Sequence, residues 1–320
     1  MDTKERIRTI LGAEPARWVM QLPSEDFKYI SELRLRADKP MFVRISGQDY
    51  VLTSQGKSVA LALQHAYRPN AADIAETIER ISQYSFYAFE TELSSGYITL
   101  PGGHRVGIAG QAVIEKGTVR AWRHISSINF RVAHAVKGCA DGVLEQITEV
   151  RGQRSDKIHH TMIISPPGAG KTTLLRDIIR QISDSGLTVG LVDERSEVAG
   201  CFQGIPQNDV GLRTDVLDGC PKAEGMVMLL RAMAPDVIAV DELGGEADAK
   251  AVEAVLTAGV RLLCTAHGNN LDDVMKNPAL SGLINRRIFE RYIVLTAPGK
   301  PPQILDGEGK AIGGPPCYQP

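Results

Sequence analysis

The stretch ISPPGAGKTTLL, residues 164–175, decides the fold of this sequence. It begins inside the apolar run TMIIS and continues into KTTLLRDIIRQIS, whose apolar residues recur at helical spacing. A glycine-rich turn between a strand and a helix, ending in Gly-Lys-Thr, is typical of a phosphate-binding loop, or P-loop. The alternative is a chance glycine-rich turn, which the run Gly-Lys-Thr-Thr disfavours. The sequence therefore predicts a nucleotide site here.

The residues of this loop match the chemistry of phosphate binding. Gly168 and Gly170 allow backbone N–H groups to turn inward onto phosphate oxygens. Lys171 would place a positive charge on the β- and γ-phosphates, and Thr172 would offer its hydroxyl to Mg²⁺. The N-terminus of the helix adds a favourable dipole. Ser165 stands where the motif has its first glycine, and serine is small enough to open the same turn. The expected ATP-binding residues are Ser165, Pro166, Pro167, Gly168, Ala169, Gly170, Lys171, Thr172 and Thr173.

An acidic pair follows another apolar run, in PDVIAVDELGG, residues 235–245. Apolar residues lead directly to Asp241 and Glu242, so both lie where a strand should end. Open α/β sheets bind their ligands at the carboxyl ends of their strands. We expect Asp241 to hold the shell of a bound Mg²⁺ and Glu242 to orient and polarise the attacking water. The alternative, a carboxylate pair that caps a helix, is disfavoured by the P-loop upstream.

Two more polar patches follow predicted strands. LVDERSEV places the acidic residues Asp193, Glu194 and Glu197 just after one strand. Arg195 could equally pair with Glu194 or Glu197 as a solvated surface cluster. LLCTAHGNN places His267 just after another strand. A lone histidine is often structural, but a position at the catalytic edge makes His267 a candidate sensor of the γ-phosphate.

Several arginines are candidates for fingers that reach a neighbouring nucleotide site, because a guanidinium stabilises charge on a phosphoryl group. Each of them could equally be a surface ion-pair partner, and the sequence does not choose among them. The candidates are Arg213, Arg231, Arg286, Arg287 and Arg291.

The pattern of elements predicts two domains. The N-terminal part mixes helices and strands: TKERIRTIL, EPARWVM and NAADIAETIERISQYS read as helices, and ELRLR and PMFVRI as strands, before a strand meander in GYITLPGGHRVGIAGQAVIEKGTVRAW. RGQRSDK, residues 151–157, is a candidate linker. After it, short apolar strands alternate with helices, which indicates a parallel sheet wrapped by helices. We therefore predict an α/β fold with domains at 1–145 and 146–320, and a hairpin in the Pro- and Gly-rich tail.

Composition narrows the possible functions. The chain has 320 residues and a net charge of −2, so no basic excess points to nucleic acid as a partner. Its five cysteines are scattered and form no C-x-x-C pair, which favours a reducing cytosol over a disulfide or zinc framework. We see no apolar signal segment and no run of about 18 apolar residues, so we expect any membrane role to come through a partner.

Four motifs stand in one order along the chain: SPPGAGKTT, VDERSE, PDVIAVDE and TAHG. This order resembles the secretion ATPases of type II and type IV machines, where the boxes are called Walker A, Asp box, Walker B and His box. The resemblance implies a RecA-like P-loop ATPase domain in which Lys171, Thr172, Asp241 and Glu242 bind and hydrolyse ATP with Mg²⁺. It also implies that Glu194 is the Asp-box acid, that His267 is the His-box residue, and that Arg131, in SSINFRVAHAV, is the N-domain arginine that reaches the nucleotide.

Two departures from that family pattern refine the resemblance. Secretion ATPases commonly carry Gly-Glu in Walker B, whereas this chain has Asp241-Glu242, and it lacks the tetracysteine zinc subdomain of the type II enzymes. Both departures are typical of smaller members with a PAS-like N-terminal α+β domain. The stretches GYITLPGGHRVGIAGQAV and GLRTDVLDGCPKAEGM are similar to the members that act in endospore formation. This resemblance implies a hexameric ring in the mother-cell cytoplasm, attached peripherally to integral membrane proteins of the channel that faces the forespore.

The function expected from the sequence is ATP hydrolysis that energises assembly of, or transport through, that channel. One alternative is a hexameric nucleic-acid motor. The stretches ISPPGAGKTTLL and LVDERSEV are also similar to those of the transcription-termination helicase Rho. The N-terminal part shows no OB-fold pattern, and the charge is slightly acidic, so this alternative is disfavoured. A second alternative is a scaffold that binds ATP without hydrolysing it, which the presence of Glu242 disfavours.

Overall fold

The computed structural model describes residues 3–59, 63–82, 97–134, 136–151, 154–297 and 299–312. It divides the chain into two compact units, Met1–His134 and Ala135–Pro320. The predicted domains, 1–145 and 146–320, stay a prediction. The compact units divide earlier because helix Asp141–Ile147 packs into the core of the second unit. Among the described residues, no helix combines the length and the apolar character needed to cross a membrane.

The first unit is an antiparallel sheet with helices. Its helices are α1 (Thr3–Ile10), α2 (Ala13–Val19) and α3 (Ala71–Ser82). Its strands are β1 (Ile30–Arg36), β2 (Phe42–Ile45), β3 (Gln48–Thr53), β4 (Gly56–Val59), β5 (Tyr97–Leu100), β6 (His104–Glu115) and β7 (Thr118–Arg131). Short 3₁₀ turns occupy Asp26–Lys28 and Leu63–His65. The strand order is β4-β3-β2-β1-β7-β6-β5, and every neighbouring pair is antiparallel.

Alternation along the strands gives this sheet one buried and one polar face. In β1, Leu33 and Leu35 are fully buried, whereas the arginines between and after them are half-buried. The helix α3 is capped by Asn70, whose side-chain oxygen accepts hydrogen bonds from the backbone N–H groups of Ala72 and Asp73 at 2.8 and 3.0 Å. The helix was expected from the sequence and is confirmed.

The second unit is a three-layer α/β domain. Its helices are α4 (Asp141–Ile147), α5 (Lys171–Asp184), α6 (Lys222–Ala232), α7 (Glu246–Thr257), α8 (Leu271–Met275) and α9 (Pro278–Asn285). Its strands are β8 (Thr148–Arg151), β9 (Arg154–Ile158), β10 (Thr161–Ser165), β11 (Val189–Asp193), β12 (Thr214–Asp218), β13 (Val237–Val240), β14 (Arg261–His267), β15 (Arg291–Val294) and β16 (Gln303–Asp306). The main sheet has the order β12-β11-β13-β14-β10-β15-β16, parallel except for the antiparallel pair β15–β16.

Both faces of this sheet are covered, which explains why its strands are apolar throughout. Successive residues of β10 point to opposite faces: Ile163 packs in the layer with α5, and Met162 and Ile164 pack in the layer with α6, α7 and α9. Because the central strands are parallel, their carboxyl ends meet at one edge. The residues at that edge are the ones that the sequence marks for chemistry.

The structure corrects one expectation about this region. The segment 151–157 was expected to be a linker, but its described residues, 151 and 154–157, belong to β8 and β9, which pair antiparallel from Thr148 and Ile158 to Arg151 and Arg154. The tail hairpin is confirmed by the antiparallel bridge between Leu305 and Ala311, and the end of the tail lies outside the described residues. The sequence did not predict β12, a polar edge strand, or the short helices α8 and α9.

Candidate functional site

The predicted P-loop connects β10 to α5 at the carboxyl edge of the sheet. Ser165 ends β10, is fully buried, and donates its hydroxyl to the carbonyl oxygen of Pro166 at 2.7 Å. Gly168 and Gly170 have φ values of +79° and +98°, which are favourable only for glycine. A Cβ atom built on either glycine would meet no other atom within 4 Å. The loop therefore needs these glycines for its backbone conformation, and both positions face open space.

Lys171 begins α5 and turns its side chain toward the carboxyl end of β13. It is only 9% exposed, and its Nζ atom lies 3.2 Å from Oδ1 of Asp241. Thr172 and Thr173 follow in the first turn of the helix and are half-buried. Lys171 and Asp241 are thus brought together, and each neutralises the charge of the other.

Thr265, a residue that the sequence reasoning missed, connects the two acidic residues. Its hydroxyl donates a hydrogen bond to Oδ1 of Asp241 at 2.5 Å and accepts one from the backbone N–H of Glu242 at 2.8 Å. The signal was present in the sequence, because Thr265 is a hydroxyl residue inside the apolar run RLLCTA and two positions before His267.

The side chain of Glu242 has two basic neighbours. Its Oε1 atom lies 3.2 Å from Nε2 of His267, and its Oε2 atom lies 3.4 Å from a guanidinium nitrogen of Arg195. His267 is opposite Ser165 in the register of β14 and β10, so it stands beside the start of the P-loop. The structure thus brings together three of the predicted edge features: the P-loop, the acidic pair and the His-box histidine.

The Asp-box loop is built around a buried carboxylate. Asp193 ends β11 and accepts hydrogen bonds from the backbone N–H groups of Glu197, Val198 and Ala199 at 2.8–3.0 Å. Burial raises the pKa of Asp193 above its usual value, and these amide hydrogen bonds oppose that shift. Asp193 therefore holds the loop together.

Glu194, the predicted Asp-box acid, points to a different partner. Its carboxylate forms an ion pair with Lys222 at the start of α6. Among the described residues, no ion pair joins Glu194 to Lys171, and its catalytic role stays a prediction. Arg195, which follows it, lies beside Glu242.

Arg176 ties the P-loop helix to the Asp-box loop, and the sequence reasoning missed it as well. Its Nε atom donates to the carbonyl oxygen of Val198 at 2.6 Å, and one of its Nη atoms donates to that of Glu197 at 2.8 Å. Burial lowers the pKa of Arg176, and the nearby carboxylates of Asp193 and Asp241 oppose that shift. A helix arginine that recognises loop carbonyls leaves no motif in the sequence.

The predicted arginine fingers have contacts of their own. Arg291 donates to the carbonyl oxygen of Gln146, and Arg213 donates to that of Gly186. Ion pairs join Arg286 to Glu253 and Arg287 to Glu308. Arg231 is exposed in α6. Arg131 is exposed at the last position of β7 in the first unit, opposite Glu32 and Arg105 in register.

The donor set at the site suits a metal that is held mainly by phosphate and water. Within the described parts of the chain, no group of three or more His, Cys, Asp or Glu side chains is arranged to hold a metal ion. Magnesium in nucleotide sites commonly takes only one or two protein ligands, with substrate phosphates and waters completing its shell. Asp241 and Thr172 are the residues of this site that could supply them.

Comparison with known sequences assigns the chain to a family. The family described as sporulation stage III, protein AA matches residues 1–311. Stage III sporulation protein AA of Bacillus subtilis (strain 168) is 40% identical over 315 residues, covering 96% of both chains. The chain belongs to the stage III sporulation protein AA family.

The sequence of this family member also has partial relatives, which match about half of this chain or less. Protein SEEDLING PLASTID DEVELOPMENT 1 of Arabidopsis thaliana is 31% identical over 163 residues, which are 50% of this chain and 22% of that protein. Because this match covers only 22% of the larger protein, it shows that the shared segment is related and nothing about the rest of that protein.

Solved structures show that this stage III sporulation protein AA family member has the fold of the secretion ATPases. The pilus retraction motor PilT with bound ADP has a TM-score of 0.52 and 17% identity, covering 86% of this chain and 76% of that one. The ATPase DotB of Yersinia pseudotuberculosis has a TM-score of 0.52 and 16% identity, covering 93% and 77%. The predicted fold class is confirmed: an α/β RecA-like P-loop domain with a smaller N-terminal α+β domain.

Proposed function

We propose that the chain is a Mg²⁺-dependent ATPase whose hydrolysis energises assembly of, or transport through, a channel between mother cell and forespore during endospore formation. The observation that carries the enzymatic part is the meeting of Lys171, Asp241 and Glu242 at the P-loop edge of the sheet. Membership of the stage III sporulation protein AA family supports the sporulation part.

In this proposal, each residue has a separate task. The backbone N–H groups around Gly168 and Gly170 bind phosphate oxygens, and Lys171 neutralises charge on the transferred phosphoryl group. When bound, Mg²⁺ supplies positive charge that stabilises the phosphate oxygens, with Asp241 and Thr172 as its protein ligands. Glu242 orients the attacking water, and His267, whose ring already contacts its carboxylate, responds to the γ-phosphate.

The direct test of the enzymatic part is ATP turnover by the full chain, measured with Mg²⁺ and with a chelator. We expect Mg²⁺-dependent release of phosphate. Nucleotide binding without turnover would support the non-catalytic scaffold instead. Absence of both binding and turnover would refute a nucleotide-driven role.

Work on a channel further requires assembly and docking. We propose a homo-oligomeric ring, most simply a hexamer, because several arginines could complete a neighbour's site. Sedimentation with Mg²⁺ and a non-hydrolysable ATP analogue should show assembly, and specific activity should rise with protein concentration. A strictly monomeric profile alongside full activity would contradict the ring.

The proposed partners are integral membrane proteins of the sporulation channel. Hydrolysis can do work on them only if the two nucleotide states hold the partner differently. Fractionation of sporulating cells with and without a candidate partner tests this: the protein should pellet with membranes only when the partner is present. Co-purification with RNA in a salt-sensitive manner would instead favour the Rho-like motor. The net charge of −2 does not favour that alternative.

A further inference from the structure

The hydroxyl of Thr265 stands at the centre of the acidic pair. Thr265 is fully buried in β14, between the apolar residues Cys264 and Ala266. Those two residues face the layer of α6 and α7, so Thr265 faces the opposite layer, which contains α5. Its side chain thus approaches Asp241 from the same layer as the P-loop helix that carries Lys171.

One hydroxyl group serves two residues with different tasks. As a donor, it binds Oδ1 of Asp241 at 2.5 Å, the same oxygen that lies 3.2 Å from Nζ of Lys171. As an acceptor, it binds the backbone N–H of Glu242 at 2.8 Å. Both roles of the hydroxyl are used, which fixes its rotamer and the direction of its proton.

The backbone of Glu242 needs this support. Its φ angle is +57°, a left-handed conformation that is unfavourable for a residue with a Cβ atom. Thr265 holds this conformation through two of its own oxygen atoms. Its hydroxyl accepts the N–H of Glu242, and its carbonyl oxygen accepts the N–H of Leu243 at 2.8 Å. The conformation matters because it decides where the Glu242 carboxylate points.

We infer that Thr265 is a positioning residue, whose hydroxyl sets the carboxylate of Asp241 and the backbone of Glu242 relative to each other. This inference rests on the proposed ATPase function for its kinetic consequence, but not for its structural one. Through Asp241, Thr265 orients a ligand for the metal, and through Glu242, it orients the group that acts on water. Loss of the hydroxyl therefore disturbs hydrolysis more than binding.

A buried threonine could simply satisfy its hydroxyl locally, and this chain contains such a case for comparison. Thr161, at the opposite end of the neighbouring strand β10, is also fully buried, and its hydroxyl donates to the nearby carbonyl oxygen of His159 at 2.8 Å. Among the described residues, the Thr161 hydroxyl has no hydrogen bond to Asp241, Glu242 or Lys171. Thr161→Val is therefore a matched control that removes a buried strand hydroxyl without touching the acidic pair.

The structural readout is hydrogen exchange of individual amides, measured by NMR on the full chain without nucleotide. In Thr265→Val, the amide of Glu242 loses its acceptor, whereas the amide of Leu243 keeps the backbone carbonyl of residue 265. We expect exchange at Glu242 to accelerate by roughly tenfold and exchange at Leu243 to change little. Thr265→Ser, which keeps the hydroxyl, should resemble wild type.

The kinetic readout is the separation of kcat from KM and the Mg²⁺ concentration that gives half-maximal turnover. Thr265→Val should lower kcat by roughly 10- to 100-fold and raise the Mg²⁺ requirement, as loss of an outer-shell partner does elsewhere. Affinity for ADP without Mg²⁺ should stay near wild type. Thr265→Ser should recover most of kcat, and Thr161→Val should leave kcat and the Mg²⁺ requirement unchanged.

Two results would overturn the inference. One is unaltered exchange at Glu242 in Thr265→Val, and the other is an equal loss of kcat in Thr265→Val, Thr265→Ser and Thr161→Val. A wild-type protein that neither binds nor hydrolyses ATP would instead refute the proposed function. In that case, the exchange comparison still decides whether the Thr265 hydroxyl holds the acidic pair.

Discussion

The ammonium group of Lys171 lies 3.2 Å from Oδ1 of Asp241, and both side chains are almost excluded from water. Charges buried to this degree are costly unless they are paired. The pair joins the first residue of a helix to the residue that follows another strand, so it forms only when the sheet is assembled. It keeps the P-loop cation in place before any nucleotide arrives.

Lys171→Ala should abolish ATP turnover and weaken nucleotide binding. The substitution removes the cation that faces the phosphates and leaves Asp241 without its partner. Phosphate release and fluorescent-nucleotide titration measure the two effects. Lys250→Ala, at an exposed position of α7, is the control and should behave as wild type. Normal turnover by Lys171→Ala would mean that this loop is not the nucleotide site.

Glu242→Gln should keep nucleotide binding and lower turnover by roughly 10²- to 10⁴-fold, the range for loss of a general base. The amide keeps the size of the side chain but not the charge that polarises water. Equilibrium binding measures the nucleotide affinity, and single-turnover kinetics measure the rate of hydrolysis. Glu253→Gln, an exposed ion-pair position in α7, is the matched control. Hydrolysis at the wild-type rate would remove Glu242 from the catalytic role.

Arg176→Lys should loosen the Asp-box loop. A lysine cannot reproduce the two directed hydrogen bonds to the carbonyl oxygens of Glu197 and Val198. We expect faster amide exchange across residues 194–199 and a loss of about 1–3 kcal/mol in the free energy of unfolding. Arg180→Lys, one turn later and paired with Asp177, should leave exchange in the loop unchanged. Equal protection of the loop in both variants would contradict this assignment.

The first unit should lose stability in mild acid because of His104. Its Nδ1 atom accepts the backbone N–H of Ala133 at 3.0 Å, and burial lowers its pKa to about 4, with Arg6 and His134 contributing. Between pH 6.5 and 4, the unfolded chain therefore binds more protons than the folded one, and stability falls as pH falls. At pH 5.5, the loss relative to pH 7.5 is about 1 kcal/mol.

The pH dependence is measured by denaturant unfolding between pH 7.5 and 5.5. His104→Gln should flatten the slope, because glutamine can accept the same hydrogen bond without titrating. His65→Gln, at an exposed site, should leave the slope as in wild type. A slope that persists in His104→Gln would assign it to another group.

Much of the fold and part of the site could be predicted because strands in a parallel sheet end at one edge. Apolar runs located β10, β11, β13 and β14, and the polar residues that follow them had to share that edge. From that reasoning, the sequence alone placed Lys171, Asp241 and His267 at the same edge of the sheet. It missed β12, because a half-exposed edge strand carries the polar pattern TDVLD rather than an apolar run.

Thr265 and Arg176 were missed by the sequence analysis for the same physical reason. Thr265 acts from inside a strand, where a small hydroxyl residue looks like ordinary packing. Arg176 acts through the carbonyl groups of a loop whose path depends on tertiary structure. Both residues form hydrogen bonds with backbone groups, and the spacing of residues along the chain does not encode such contacts. Such positioning residues are found by hydrogen bonds, not by motifs.

The last prediction concerns Arg131, which the family resemblance assigns to the nucleotide although it belongs to the first unit. It is exposed at the end of β7, so Arg131→Ala should cost little stability and yet lower turnover. Arg120→Ala, at an exposed position of the same strand, is the control and should leave turnover unchanged. Unfolding curves and steady-state kinetics of both variants measure this difference.

A mixing experiment decides whether Arg131 acts on its own subunit or on a neighbour. Arg131→Ala keeps its P-loop, and Lys171→Ala keeps its Arg131. If the arginine completes a neighbouring subunit's site, a mixture of the two impaired proteins forms some sites with both groups intact, and turnover rises above that of either protein alone. If it serves its own subunit, mixing gives no such rise, because no subunit contains both groups. Wild-type kinetics in Arg131→Ala alone would leave Arg131 as a surface residue and remove the N-terminal unit from the chemistry.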